Sequence, residues 1–110
     1  MDLQLTTRRE GADSAVVAVS GDIDNDTAPQ LREALVNAFS GGAKRVVVDL
    51  STTDFLDSSG LGALVGVSKE YARDGELVLV CPRPQLRKLF HISRLDEVLA
   101  VHDDLSTALN

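Results

Sequence analysis

The spacing of apolar residues changes several times along the chain, and each change marks an element. Leu3 and Leu5 alternate with polar neighbours, the two-residue period of a half-buried strand. The polar stretch 8–14 contains Gly11 and reads as a turn, after which Ala15-Val16-Val17-Ala18-Val19 supplies the hairpin partner. Gly21-Asp22-Ile23-Asp24-Asn25-Asp26 then reads as a loop carrying three carboxylates in five residues. Thr27-Ala28-Pro29-Gln30 fits a capping box, with Thr27 capping a helix and Gln30 reaching back to the Thr27 amide. Pro29 falls in the first turn, where its missing N–H has no intrahelical partner to lose. Ala28, Leu31, Leu35, Ala38 and Phe39 recur at threes and fours as one apolar face, and Gly41-Gly42 ends the helix.

Val46-Val47-Val48-Asp49-Leu50 is too uniformly apolar to face water on one side, so it reads as a central parallel strand. It leads to residues 54–62, Asp-Phe-Leu-Asp-Ser-Ser-Gly-Leu-Gly, a strand-to-helix corner. The helix leaving that corner shows Leu61, Leu64, Val65, Ser68 and Ala72 on one face, and Asp74-Gly75 closes it. Leu77 to Cys81 is another buried strand, and Pro82-Arg83-Pro84 opens a short helix edged by Leu86, Leu89 and Phe90. Val98 to Val101 is a weaker last strand, and Asp103 or Asp104 caps a terminal helix through Leu105, Ala108 and Leu109. The order β-β-α-β-α-β-α-β-α predicts an α/β fold. The expectation is a small mixed, mostly parallel sheet of four to five strands with helices mainly on one face. Its crossovers are right-handed, and residues 1–110 form a single domain.

Composition narrows the function. At 110 residues the chain can bury roughly 65% of its unfolded surface. A net charge of −6, from 17 acidic against 11 basic residues, gives it no electrostatic claim on nucleic acid or anionic lipid. The single cysteine, Cys81, excludes an internal disulfide and suits a reducing compartment; at the end of an apolar run it reads as a buried thiol. The start Met1-Asp2-Leu3-Gln4-Leu5 lacks the basic and apolar blocks of a signal peptide, and no apolar run approaches ~18 residues, so a cytoplasmic location is expected.

Catalytic constellations are missing. A serine nucleophile elbow needs a glycine two positions before the serine, where Ser58 has Leu56-Asp57, and a histidine base; His91 and His102 are scattered. Two histidines and one cysteine give no metal-ligand pair, and no glycine-rich phosphate cradle occurs, so neither enzyme activity, cofactor nor metal is expected. A phospho-accepting receiver would place a lysine after the late strand, where Cys81-Pro82-Arg83 stand. Ser58 and Ser59 therefore stand as modification substrates or as plain capping residues. Capping alone explains Asp, Ser and Gly at a helix start. Against it, Leu56, Leu61 and the gaps at Gly60 and Gly62 leave a small corner open to a partner's backbone. The acidic loop 22–26 should lie at the same end of the sheet.

Gly21-Asp22-Ile23-Asp24-x-x-Thr27-Ala28, Val46-Val47-Val48-Asp49-Leu50 and Phe55-Leu56-Asp57-Ser58-Ser59-Gly60-Leu61-Gly62 together resemble the bacterial anti-sigma factor antagonists, stand-alone STAS domains of sporulation and stress regulation. Leu77 to Cys81 and Leu86-Arg87-Lys88-Leu89-Phe90-x-Ile92-Ser93-x-Leu95 extend the match over nearly the whole chain. The resemblance implies partner switching. The unphosphorylated protein binds an anti-sigma factor, itself a serine kinase of the histidine-kinase-like ATPase fold, and so frees a sigma factor. Phosphorylation of Ser58, rather than Ser59, ends that binding, and a metal-dependent serine phosphatase restores it. The implied contact residues are Asp22, Asp24, Thr27, Asp57, Ser58, Ser59, Gly60, Leu61 and Gly62. The alternative is a STAS scaffold subunit of a larger signalling or transporter assembly without a phospho-switch.

Overall fold

The computed structural model describes residues 3–110. Strands β1 (Leu3–Glu10) and β2 (Ser14–Ile23) form an antiparallel hairpin, followed by helix α1 (Ala28–Ser40). Strand β3 (Arg45–Leu56), helix α2 (Ser58–Glu70), strand β4 (Glu76–Val80) and helix α3 (Pro84–Ile92) come next. A 3-10 turn (Leu95–Glu97) leads into the short strand β5 (Ala100–His102) and helix α4 (Leu105–Leu109). The strands lie side by side in chain order, β1-β2-β3-β4-β5, with every pair after the hairpin parallel. This is the expected mixed, mostly parallel α/β sheet.

Both sheet faces are apolar because β2, β3 and β4 are central. On one face Val17, Val19, Val46, Val48, Leu50, Leu77 and Leu79 pack with Leu31 and Leu35 of α1, Leu64 and Val67 of α2, and Phe90 of α3. On the other, Val16, Val47, Val78 and Val80 lie under Ala108, Leu105 and Leu109, so α4 covers that side. Arg45 ties α4 down by donating from Nη1 to the Ala108 carbonyl at 3.0 Å. The predicted α1 face is buried in full, and Gly42, at φ +102°, supplies the left-handed residue that ends this helix.

Several expectations need correction. The turn after β1 is confined to residues 11–13, so Arg8, Arg9 and Glu10 belong to the strand. Gly21, Asp22 and Ile23 continue β2 rather than opening a loop, because β3 runs on beside them to Leu56. The capping box does not form: Thr27 occupies the N-cap position without a side-chain cap, since its hydroxyl is used inside the preceding loop. The core side of α2 is Gly60, Leu64 and Val67, and Ala72 lies exposed beyond the helix. Val98, read as strand, is 57% exposed and precedes β5.

Two irregularities in the β2–β3 ladder shape the end of the sheet. From Ala18 to Ser20 on β2, the partner strand advances from Asp49 to Thr52; from Gly21 to Asp22 it advances from Thr53 to Phe55. Each step inserts one extra residue into β3, which is a β-bulge, and bulges re-aim the side chains that follow. Thr53 is buried, its hydroxyl donating to the Val19 carbonyl at 2.9 Å, while Asp54 and Phe55 both face water and Leu56 returns to the core.

Candidate functional site

The C-terminal ends of β2 and β3 meet where parallel strands of open α/β sheets commonly present their ligands. Asp57 has extended backbone angles and its Oδ1 accepts from the amides of Ser59 at 2.9 Å and Gly60 at 3.3 Å, capping α2. The Asp57 amide donates to the Ile23 carbonyl at 3.2 Å, so the corner is fastened to the last residue of β2. Ser58, the first residue of α2, is exposed. Ser59 is half-buried, and its hydroxyl lies 3.5 Å from Asn25 Oδ1, at the limit of a hydrogen bond.

Gly60 and Gly62 differ in what surrounds them. A Cβ on Gly60 would stand 2.2 Å from Leu56 Cδ1 and 2.7 Å from Ile23 Cγ2, so the bare backbone lets α2 sit on the sheet. A Cβ on Gly62 would meet nothing within 4 Å. Packing gives no reason for a glycine there, and helix propensity argues against one. Gly62→Ala should therefore raise the unfolding free energy by about 1 kcal/mol, read by urea denaturation. A fall in stability would show that the site is not open.

The loop between β2 and α1 is knotted around one carboxylate. Asp24 Oδ1 accepts from the Asp26 amide at 2.9 Å and the Thr27 amide at 3.0 Å. Thr27 is buried; its hydroxyl accepts from the Asp24 amide at 2.9 Å and donates to the Asp22 carbonyl at 2.9 Å, with Asp24 Oδ1 a longer alternative at 3.2 Å. The Thr27 amide is the main cause holding the Asp24 carboxyl below its ordinary range. Asp104, capping α4 through the Thr107 amide at 2.8 Å, is lowered in the same way. A lowered folded-state pKa adds stability that is complete above the unfolded value and is lost as pH falls through the folded one. Titration followed by NMR should find both carboxyls ionising below the ordinary value of about 3.9. Midpoints at or above that value would overturn the loop geometry.

The structure thus brings together Asp22, Asp24 and Thr27 on one side and Asp57 to Gly62 on the other. Three neighbours escaped the sequence reading. Asn25 faces Ser59, and Phe55 lies opposite Asp22 in the ladder and is 50% exposed. Arg83, just before α3, donates from Nε to the Ser51 carbonyl at 3.1 Å and from Nη1 to Asp54 Oδ1 at 3.2 Å. Phe55 left a trace only in its type, as the one aromatic residue of the corner 54–62, and nothing local announced its exposure. Asp22, Asp24, Asp26, Asp54 and Asp57 make the surface acidic, yet among the described residues no cluster of side chains is arranged to hold a metal ion.

This arrangement can present a hydroxyl and receive a protein. The model of the STAS domain matches residues 5–108. The chain belongs to the STAS domain family. An anti-sigma-B factor antagonist of Listeria monocytogenes is 31% identical over 102 residues, covering 92% of this chain and 90% of that protein. The crystal structure of an anti-sigma factor antagonist from Mycobacterium paratuberculosis superposes with a TM-score of 0.90 at 29% identity, covering 98% of this chain and 92% of its own. SpoIIAA of Bacillus in its phosphorylated form shares the STAS fold at 24% identity and a TM-score of 0.69, covering 92% of this chain and 93% of its own. No helix among the described residues of this STAS domain is long and apolar enough to cross a membrane.

Proposed function

We propose that this STAS domain is an anti-sigma factor antagonist that binds an anti-sigma factor when unmodified and releases it when Ser58 is phosphorylated. The observation that carries the reading is the division of labour at the corner. Asp57 is committed to the cap, Gly60 to packing and Ser59 to the Asn25 side, while Ser58 stands exposed on the first residue of α2. A kinase can reach that hydroxyl without unfolding anything. The relatives named as antagonists support the partner class, and SpoIIAA, which exists in a phosphorylated form, supports the switch. Asp22 and Asp24, with Asp57, Ser58, Ser59, Leu61 and Gly62, then form the contact surface, while Thr27 and Gly60, both buried, hold it in shape from beneath. The kinase would be the anti-sigma factor itself, of the histidine-kinase-like ATPase fold, and a metal-dependent serine phosphatase would reverse the modification.

The test mixes the purified protein with each anti-sigma kinase of its own genome and ATP, and reads intact mass and the modified peptide. One phosphate on Ser58, with loss of the complex, is the expected result. Phosphate on Ser59 would move the site. No phosphate from any kinase would favour a scaffold subunit instead.

A further inference from the structure

Strand β3 outruns its neighbour. β4 ends at Val80, opposite Asp49, so residues 50–56 have a partner strand on the β2 side only. Arg83 takes the place of the missing strand. Its two hydrogen bonds reach Ser51, at the first bulge, and Asp54, at the second, and hold the overhang in one shape. The second bulge also decides which side chains face out. Had β3 kept its alternation after buried Thr53, Phe55 would point inward and Leu56 outward; the extra residue reverses both. An aromatic ring therefore stands half in water, in ladder register with Asp22 and two residues from the Asp57 cap.

The other large apolar side chains exposed among the described residues, Ile92 and Val98, lie elsewhere. α3 crosses from the C-terminal end of β4 back towards the start of β5, which puts both at the opposite end of the sheet. Of the large apolar side chains exposed among the described residues, Phe55 is the one next to the Asp57 corner in the chain. Its ladder partner is Asp22, and Asp54, paired to Arg83, and Asp57 lie within two residues of it in the chain. Rigid aromatic residues at the centre of an interface are the commonest energetic anchors, and charges around them select a complementary rim.

We infer that Phe55 is the apolar anchor of the docking surface, entering an apolar pocket rimmed by arginine or lysine side chains on the anti-sigma factor. The inference rests on the proposed function and adds the residue and the partner chemistry. The probes are the purified anti-sigma factors of the same genome, with binding to the full chain measured by calorimetry at two salt concentrations. Phe55→Ala should weaken the complex by about thirtyfold or more, the loss expected of an aromatic hot spot. Phe55→Leu should keep most of the affinity, and Ile92→Ala all of it. Wild-type affinity should fall as salt rises. Thermal midpoints of the variants separate lost binding from lost folding. If Phe55→Ala binds within threefold of wild type while Ser58 phosphorylation still dissociates the complex, the anchor is wrong and the function stands. If affinity ignores salt, the basic rim is wrong. If wild type binds none of these proteins, the function falls and the anchor with it.

Discussion

Gly60→Val should lower the unfolding free energy by about 3 kcal/mol, near the upper end of what overpacking usually costs. The added Cβ alone would sit 2.2 Å from Leu56 Cδ1 and 2.7 Å from Ile23 Cγ2. Neither neighbour has room to retreat, since Ile23 is 0% and Leu56 4% exposed. The two further methyl groups of valine must push α2 off the sheet or open the β2–β3 end. Relief of glycine's poor helix propensity offsets only about 0.5 kcal/mol, because a β-branched residue is itself a middling helix former. For a chain of this length, a loss of that size lowers the thermal midpoint by roughly 12–20 °C. A midpoint within a few degrees of wild type would mean that the helix start is not packed as described. Gly62→Ala, two residues on, carries the opposite sign for the reason already given, so the pair tests the orientation of α2 as well as its closeness.

Ser58→Asp should weaken binding to the anti-sigma factor by on the order of a hundredfold, while Ser58→Ala binds like wild type and takes no phosphate. Two effects oppose each other at this residue. A negative group at a helix N-terminus is favourable, by roughly 0.3–1 kcal/mol when exposed. In the complex the same group loses water beside Asp57 and Asp24, so a repulsion that solvent screens in the free protein grows there. The basic rim inferred around Phe55 offsets only part of it. One like-charge contact at ~6 Å and an effective dielectric of ~20 costs roughly 3 kcal/mol before salt screening. At about 1.4 kcal/mol per tenfold, this is the hundredfold quoted. The interface effect is the larger. The modified domain should stay folded, with an unchanged or slightly raised thermal midpoint, and lose only its partner. Equal dissociation constants for wild type, Ser58→Ala and Ser58→Asp would overturn the charge mechanism.

The fold was legible where periodicity is a direct image of packing. All five α1 positions at threes and fours are buried, and the apolar runs at 46–48 and 77–80 are central strands. It was least legible where the ladder is irregular. The bulges in β3 break the two-residue period after Leu50, so the strand read from the sequence stops there and residues 54–56 read as part of the corner, although β3 runs on to Leu56. The same break hid Phe55, whose exposure depends on an inserted residue that no local pattern announces. Thr27 and Gln30 matched a capping box, but the Asp22 carbonyl and the Asp24 amide compete for the threonine hydroxyl and take it. Arg83 was invisible for another reason: its partners lie about thirty positions earlier in the chain. The Asp57 cap was readable because capping is local.

Strand order equal to chain order has a consequence for how this protein is made. Each new strand pairs with the one synthesised before it, so the sheet can grow from a single edge as the nascent chain leaves the ribosome. The switch corner needs only β2, β3 and the start of α2, and it can close before β4 emerges from the ribosome. Growth ends with β5, three residues long, a stub that offers little edge for a second chain to pair with and lets the sheet stop at five strands.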